Sequence, residues 1–91
     1  MLYVVVLSAI PAVDVNRVQN VLGPAHSWYR IAPNSWVICT GEPAAAWNAR
    51  LSPFVKPNGS IVIFRLDTTD RQGWIQQKFW EWVREHEGDF Y

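Results

Sequence analysis

The spacing of apolar residues divides the chain into seven predicted elements. Residues 2–8 contain three consecutive valines and are apolar up to Leu7, which is typical of a strand covered on both faces. Apolar residues then recur at helical spacing after Asp14, and Gly23-Pro24 ends that helix. Continued along the chain, the pattern predicts two hairpin strands (26–31 and 35–40), a helix starting near Glu42-Pro43, a strand at 60–66 and a last helix at about 71–87.

The order strand, helix, strand, strand, helix, strand, helix predicts the fold class. Mixed connections of this kind imply an antiparallel sheet with helices packed on it. We therefore expect an α+β protein, a ferredoxin-like β-α-β-β-α-β sandwich with an extra C-terminal helix. The length of 91 residues fits one domain, covering residues 1–91.

Both faces of the predicted sheet carry apolar side chains. In the fourth strand Val62 and Phe64 point one way, while Ile61 and Ile63 point the other. Two helices cover only one face, and a bare apolar face is rare on a monomer. The second face therefore needs a cover, either the C-terminal helix or a second copy of the chain. On one choice of facing, this second face consists of Tyr3, Val5, Ile61 and Ile63.

Composition narrows the classes of function. Eight basic and eight acidic residues give no net charge, which does not favour a dedicated nucleic-acid binder. The apolar start is far shorter than the roughly 20 residues that span a bilayer and has no basic flank, so we expect a cytoplasmic protein and no membrane partner. Cys39 is the sole cysteine; its apolar surroundings predict a buried side chain rather than a reactive thiol.

Several segments together resemble the SinR-like proteins, small relatives of the dimeric CRISPR-associated adaptation subunit that holds integrase subunits. The resemblance covers residue 2 to about residue 66, and its motifs are mainly hydrophobic patterns with a Ser-Trp hairpin. It is carried by Ser27-Trp28-Tyr29-Arg30-Ile31, Asn34-Ser35-Trp36-Val37-Ile38, Arg50-Leu51-Ser52-Pro53-Phe54-Val55 and Asn58-Gly59-Ser60-Ile61-Val62-Ile63-Phe64-Arg65-Leu66. The resemblance implies a ferredoxin-like homodimer.

The chain departs from that family at its most informative position. The family has an aspartate at the end of the first strand, where two copies could share one divalent cation. Here Ala9 stands at that position, and neither neighbour is acidic. This departure argues against a metal-dependent nuclease of the family type, and no catalytic residue is assigned.

Other candidate chemical groups are few. Asp67 and Asp70 could form a metal or general-base pair, but a cap of the last helix is the more common use of an Asp-Thr-Thr-Asp segment. His26 and His86 lie far apart in sequence and are interpreted as surface residues, since a metal site needs further ligands. No metal site and no cofactor are predicted; Mg²⁺ would enter only if the acidic pair served a nuclease.

The last helix carries large aromatics outside its main apolar stripe. Trp74 and Trp80 lie on either side of the stripe formed by Ile75, Phe79, Trp82 and Val83, which is typical of a helix with a second partner. Base stacking would need nearby cations, for which Arg71, Lys78 and Arg84 are candidates, although acidic neighbours offset them. Phe90-Tyr91 could dock on the domain or on a dimer mate.

These observations favour a non-catalytic, homodimeric scaffold or adaptor that acts through protein–protein contacts. Its binding surface would comprise the second sheet face and the two helix tryptophans. One alternative is a divalent-metal-dependent nuclease, or a nucleic-acid-binding protein, of the same fold. Another is a small inhibitor or accessory protein of a mobile element. The sequence identifies no protein partner.

Overall fold

The computed structural model describes residues 1–88 and shows a small α+β domain. Within this range there are four strands, β1 (Leu2–Ser8), β2 (Ser27–Ala32), β3 (Ser35–Cys39) and β4 (Ser60–Arg65). There are also three α-helices, α1 (Val15–Val21), α2 (Ala44–Leu51) and α3 (Gln77–His86), and a short 3-10 helix (Ser52–Phe54) after α2. The predicted order of elements is confirmed. None of these helices has the length and apolarity needed to cross a bilayer.

The four strands form one sheet with the order β2-β3-β1-β4. All three neighbouring pairs are antiparallel, so β1 lies in the interior of the sheet while β2 and β4 form its two edges. The register places Val4 between Val37 of β3 and Phe64 of β4. Because side chains alternate along a strand, these three residues share one face of the sheet.

Helices α1 and α2 begin where the sequence predicts. The carboxylate of Asp14 accepts hydrogen bonds from the backbone N–H groups of Asn16 (3.1 Å) and Arg17 (3.3 Å), which satisfies two donors at the start of α1. Pro43 precedes α2, and Trp47 and Leu51 are fully buried one turn apart. Both helices therefore turn an apolar stripe towards the sheet.

The main core lies between these two helices and one face of the sheet. The buried residues from the sheet are Tyr3, Val5, Leu7, Trp36 and Ile38, and those from the helices and the following turn are Val18, Leu22, Trp47, Leu51 and Val55. Burying this many large apolar side chains supplies the main driving force for folding, at about 25 cal/mol per Å² of apolar surface removed from water. We call this side of the sheet the first face.

A second, smaller core lies on the opposite face of the sheet, beneath α3. Phe79 and Val83 of α3 are buried against Leu2, Val37 and Cys39. The predicted burial of the cysteine is confirmed, since its side chain is inaccessible to solvent. Of the two covers proposed for the second face, the C-terminal helix is present, and it covers the part above β2 and β3.

Helix α3 is shorter than predicted, because it begins at Gln77 and not near Arg71. In a continuous helix Arg71 and Glu87 would be about 24 Å apart at 1.5 Å per residue, yet they form an ion pair. Gly73, a poor helix former, packs against Trp80, whose ring lies 3.1 Å from the position a Cβ at Gly73 would occupy. These contacts require residues 71–76 to fold back along α3.

Candidate interaction surface

Helix α3 covers Leu2 at the start of β1 but leaves the second face uncovered over β4 and the adjoining part of β1. Phe64 is 65% exposed and Val62 is 41% exposed, an unusual state for large apolar residues in a regular strand. Val4 pairs with Phe64 and Val6 pairs with Val62 across the β1–β4 ladder, and both valines are partly buried. We call these four residues the β4 strip. It is an apolar surface formed by two paired strands of the sheet.

The sequence-based choice of facing was wrong. Tyr3 and Val5 are buried in the main core, 6% and 0% exposed, because α1 and α2 pack on the face they occupy. Ile61 and Ile63 are partly buried against the same core. These four side chains therefore lie on the first face. The accessible apolar residues of β1 and β4 are the even-numbered ones, whose side chains lie on the second face.

The two candidate tryptophans of the C-terminal region differ in their surroundings. Trp74 lies in the irregular segment before α3 and is fully exposed. Trp80 is partly buried: it packs beside Phe79, with ring centroids 5.3 Å apart, and covers Gly73. Trp80 therefore helps to hold residues 71–76 against α3. Only Trp74 presents its whole side chain to solvent.

The structure brings together the two histidines, which the sequence analysis treated as separate surface residues. The rings of His26 and His86 are 5.9 Å apart, and His86 stacks on Trp82 at 4.6 Å. The Trp82 indole N–H donates to the Ser27 hydroxyl at 2.9 Å, which ties α3 to the start of β2. The i, i+4 spacing of Trp82 and His86 is the only sequence signal for this group.

The acidic segment does not cap the last helix, so the capping prediction was wrong. Because α3 begins at Gln77, Asp67 lies ten residues before it. The Asp67 carboxylate instead accepts hydrogen bonds from the Thr69 hydroxyl (2.7 Å) and backbone N–H (2.9 Å), which lower the pKa of Asp67. Asp70 is exposed. In residues 1–88, no three His, Cys, Asp or Glu side chains group closely enough to hold a metal ion.

The three candidate cations are not equivalent. Arg71 is paired with Glu87, and hydrogen bonds from Arg71 and Thr68 lower the pKa of that carboxyl. Lys78 and Arg84 are both exposed on α3. The pairing of Arg71 holds the segment before α3 to the end of the helix, so this residue has a structural role that the sequence did not indicate.

The sequence also draws attention to Ala9 and to the C-terminal aromatic residues. Ala9, which stands where the resemblance implies an aspartate, follows β1 and is partly buried against the main core. Phe90-Tyr91, predicted to dock on the domain or on a dimer mate, lies outside the described residues.

Comparison with known proteins identifies no relative. No family model matches the chain, and neither a curated protein nor a solved structure does.

Proposed function

We propose that this chain is a non-catalytic, homodimeric scaffold or adaptor that acts through protein–protein contacts. The exposure of the β4 strip carries the proposal. Phe64 and Val62 lie next to each other on one face of β4, and Val4 and Val6 extend the apolar surface onto β1. Large aromatic side chains at the centre of such surfaces are common anchors of protein interfaces.

The proposal includes a ferredoxin-like topology. The strand order β2-β3-β1-β4, with antiparallel neighbours and α1 and α2 on one face, supports it. The same arrangement is what the SinR-like resemblance implies. On this proposal Trp74, fully exposed beside α3, provides a second contact for a partner.

Sedimentation equilibrium of the purified chain across the micromolar range tests the proposed homodimer. We expect the mass to rise from 10.5 kDa towards twice that value as concentration increases. Phe64→Ser removes one hot-spot side chain from each copy, so at about 2 kcal/mol per side chain it should weaken association about 1,000-fold. Ile10→Ser is the matched control, because Ile10 is also a large, exposed apolar residue but lies outside the β4 strip.

Two results would contradict the proposal. One is a wild-type protein that stays monomeric throughout this range. The other is equal weakening by both substitutions, which would indicate nonspecific association. Trp74→Ser, measured in the same series, determines whether Trp74 belongs to the dimer contact or remains available to a different partner.

The nuclease alternative has its own test. The chain is incubated with labelled single- and double-stranded DNA and RNA at low salt, with and without Mg²⁺. Cleavage that requires the metal and is lost in both Asp67→Ala and Asp70→Ala would replace the scaffold proposal. A mobility shift without cleavage that weakens in Lys78→Ala and Arg84→Ala would favour nucleic-acid binding.

A further inference from the structure

The two edges of the sheet differ in how they are protected. At the β2 edge the pairing is irregular between Arg30 and Ala32, and the Arg30 guanidinium donates to the backbone carbonyls of Ala32 (3.2 Å) and Pro33 (2.8 Å). A bulge, a charged side chain and a proline are common means of blocking strand addition. β2 has the irregular pairing and the charged side chain, and Pro33 follows it in the turn to β3.

The β4 edge lacks a bulge and a proline, and its central residues are uncharged. Its register with β1 is continuous from Ser60 to Arg65, and the strand contains no proline. Its only charged residue is Arg65, at the end of the strand. A regular, apolar edge strand of this kind is a template for pairing with another strand.

The hydrogen-bond pattern shows which backbone groups of β4 face outward. The Leu66 N–H donates to the Leu2 carbonyl at 2.9 Å, so the even-numbered residues of this ladder bond to β1. Antiparallel ladders alternate, and the N–H and C=O groups of Ile61 and Ile63 therefore point away from β1. Within residues 1–88, β4 is the last strand of the sheet, and no other strand lies beside it on this side. The outward groups of Ile61 and Ile63 are the donors and acceptors that an added strand would use.

We infer that β4 pairs with β4 of a second copy of this chain, antiparallel and centred on Ile63, joining the two sheets edge to edge. The inference rests on the proposed homodimer and specifies how its copies meet. A two-fold axis at Ile63 makes the interface self-complementary, as symmetric dimers require. The β4 strip reaches the same edge, so pairing brings Val62 and Phe64 of each copy against those of the other and shields part of both strips.

This register matches side chains across the interface. Val62 lies opposite the partner's Phe64 in a non-hydrogen-bonded pair, where side chains approach most closely. Aromatic and β-branched residues form favourable cross-strand pairs. Arg65 lies opposite the partner's Ile61, so no like charges face each other. Ile63 meets its own copy on the first face.

Neighbouring registers fit less well. Moving the axis to Val62 brings Gly59 into the ladder, but the Gly59 N–H already donates to the Val55 carbonyl at 2.6 Å. Moving it to Phe64 leaves the outward groups of Ile61 opposite Asp67, beyond the end of the strand. The register centred on Ile63 is the one that pairs the whole of residues 61–65.

Cysteine cross-linking distinguishes the three registers. Val62→Cys and Phe64→Cys proteins are oxidised with a glutathione redox buffer, separately and as an equal mixture, and disulfide-linked dimers are counted on non-reducing gels. We expect efficient cross-linking only in the mixture. Efficient cross-linking of Val62→Cys alone or Phe64→Cys alone would place the axis at that residue and overturn the proposed register. The wild type, with Cys39 buried, gives the background.

Hydrogen exchange tests the edge pairing without a substitution. As wild-type concentration rises through the range of dimerisation, the Ile61 and Ile63 amides should gain protection in NMR spectra. The Val62 and Phe64 amides, already bonded to β1, serve as internal controls. A dimer seen by sedimentation with no such gain would overturn edge pairing but leave the proposed homodimer intact. Absence of any dimer would overturn both.

Discussion

Removing the Phe79 side chain should detach α3 from the sheet without unfolding the rest of the domain. Phe79 is 8% exposed and contacts the second core, while residues 71–76, which connect α3 to the sheet, are irregular. Truncating a buried phenylalanine to alanine costs about 3–5 kcal/mol, and the slight exposure of Phe79 favours the lower value. If the free energy of locally detaching α3 falls by about 3 kcal/mol, the population of molecules with a detached α3 rises about 100-fold.

Cys39 reports this opening directly. Its thiol is fully buried beneath α3, so a disulfide reagent reaches it only when the helix detaches or the protein unfolds. We expect Phe79→Ala to accelerate labelling about 100-fold over wild type, with a weak dependence on urea because little surface is exposed. Leu51→Ala is the matched control, because it truncates a buried residue on the opposite face. Labelling of this variant should show the steep urea dependence of global unfolding.

Independent opening of α3 would be contradicted if Phe79→Ala labelled Cys39 with the same steep urea dependence as Leu51→Ala. In that case α3 and the sheet would unfold as a single unit. An unchanged labelling rate would likewise show that Phe79 does not hold the helix in place.

Three other predictions concern the main core and its surroundings. Asp14→Ala should lower the free energy of unfolding by about 1 kcal/mol in urea titrations. Asp14→Asn should keep the free energy of unfolding close to that of wild type, because an Asn side chain can also cap α1. Thr40→Val should cost about 1–3 kcal/mol by leaving the buried Trp47 indole N–H without its acceptor, and Thr40→Ser should recover most of that loss. Two hydrogen bonds from Arg50, each 2.6 Å, lower the pKa of Glu42 below 4.5. The stability that this ion pair adds is therefore present above pH 4.5 and is lost as the pH falls through the folded-state pKa. We expect the difference in Tm between wild type and Glu42→Gln to shrink in acid.

The sequence predicts the strands and the first two helices well because their signals are local. Continuous apolar runs, turn residues and the Asp14 cap all act within a few positions of one another. The start of α3 is different. Helical spacing continues back to Arg71, but the pairing of Arg71 with Glu87 and the packing of Gly73 on Trp80 are contacts between distant residues. Such tertiary contacts override the local sequence pattern, which by itself would allow a helix over residues 71–76.

The exposed apolar surface could be predicted only in part. Alternation along β4 separates Val62 and Phe64 from Ile61 and Ile63, but it does not say which pair faces the first two helices. Because β1 is apolar on both sides, it gives no further guidance. That choice depends on the strand order and on where α1 and α2 cross the sheet. Once these are known, the exposure of Phe64 follows.

The interior position of β1 delays formation of the complete sheet while the chain is being synthesised. β1 precedes both of its partners, and β4, the later one, begins at Ser60. Until β4 emerges, one edge of β1 has no strand to pair with, although both of its faces are apolar. Nascent chains that stop before residue 60 should therefore be prone to aggregation and depend on chaperones. The domain can complete its sheet only after about two thirds of its residues have been synthesised.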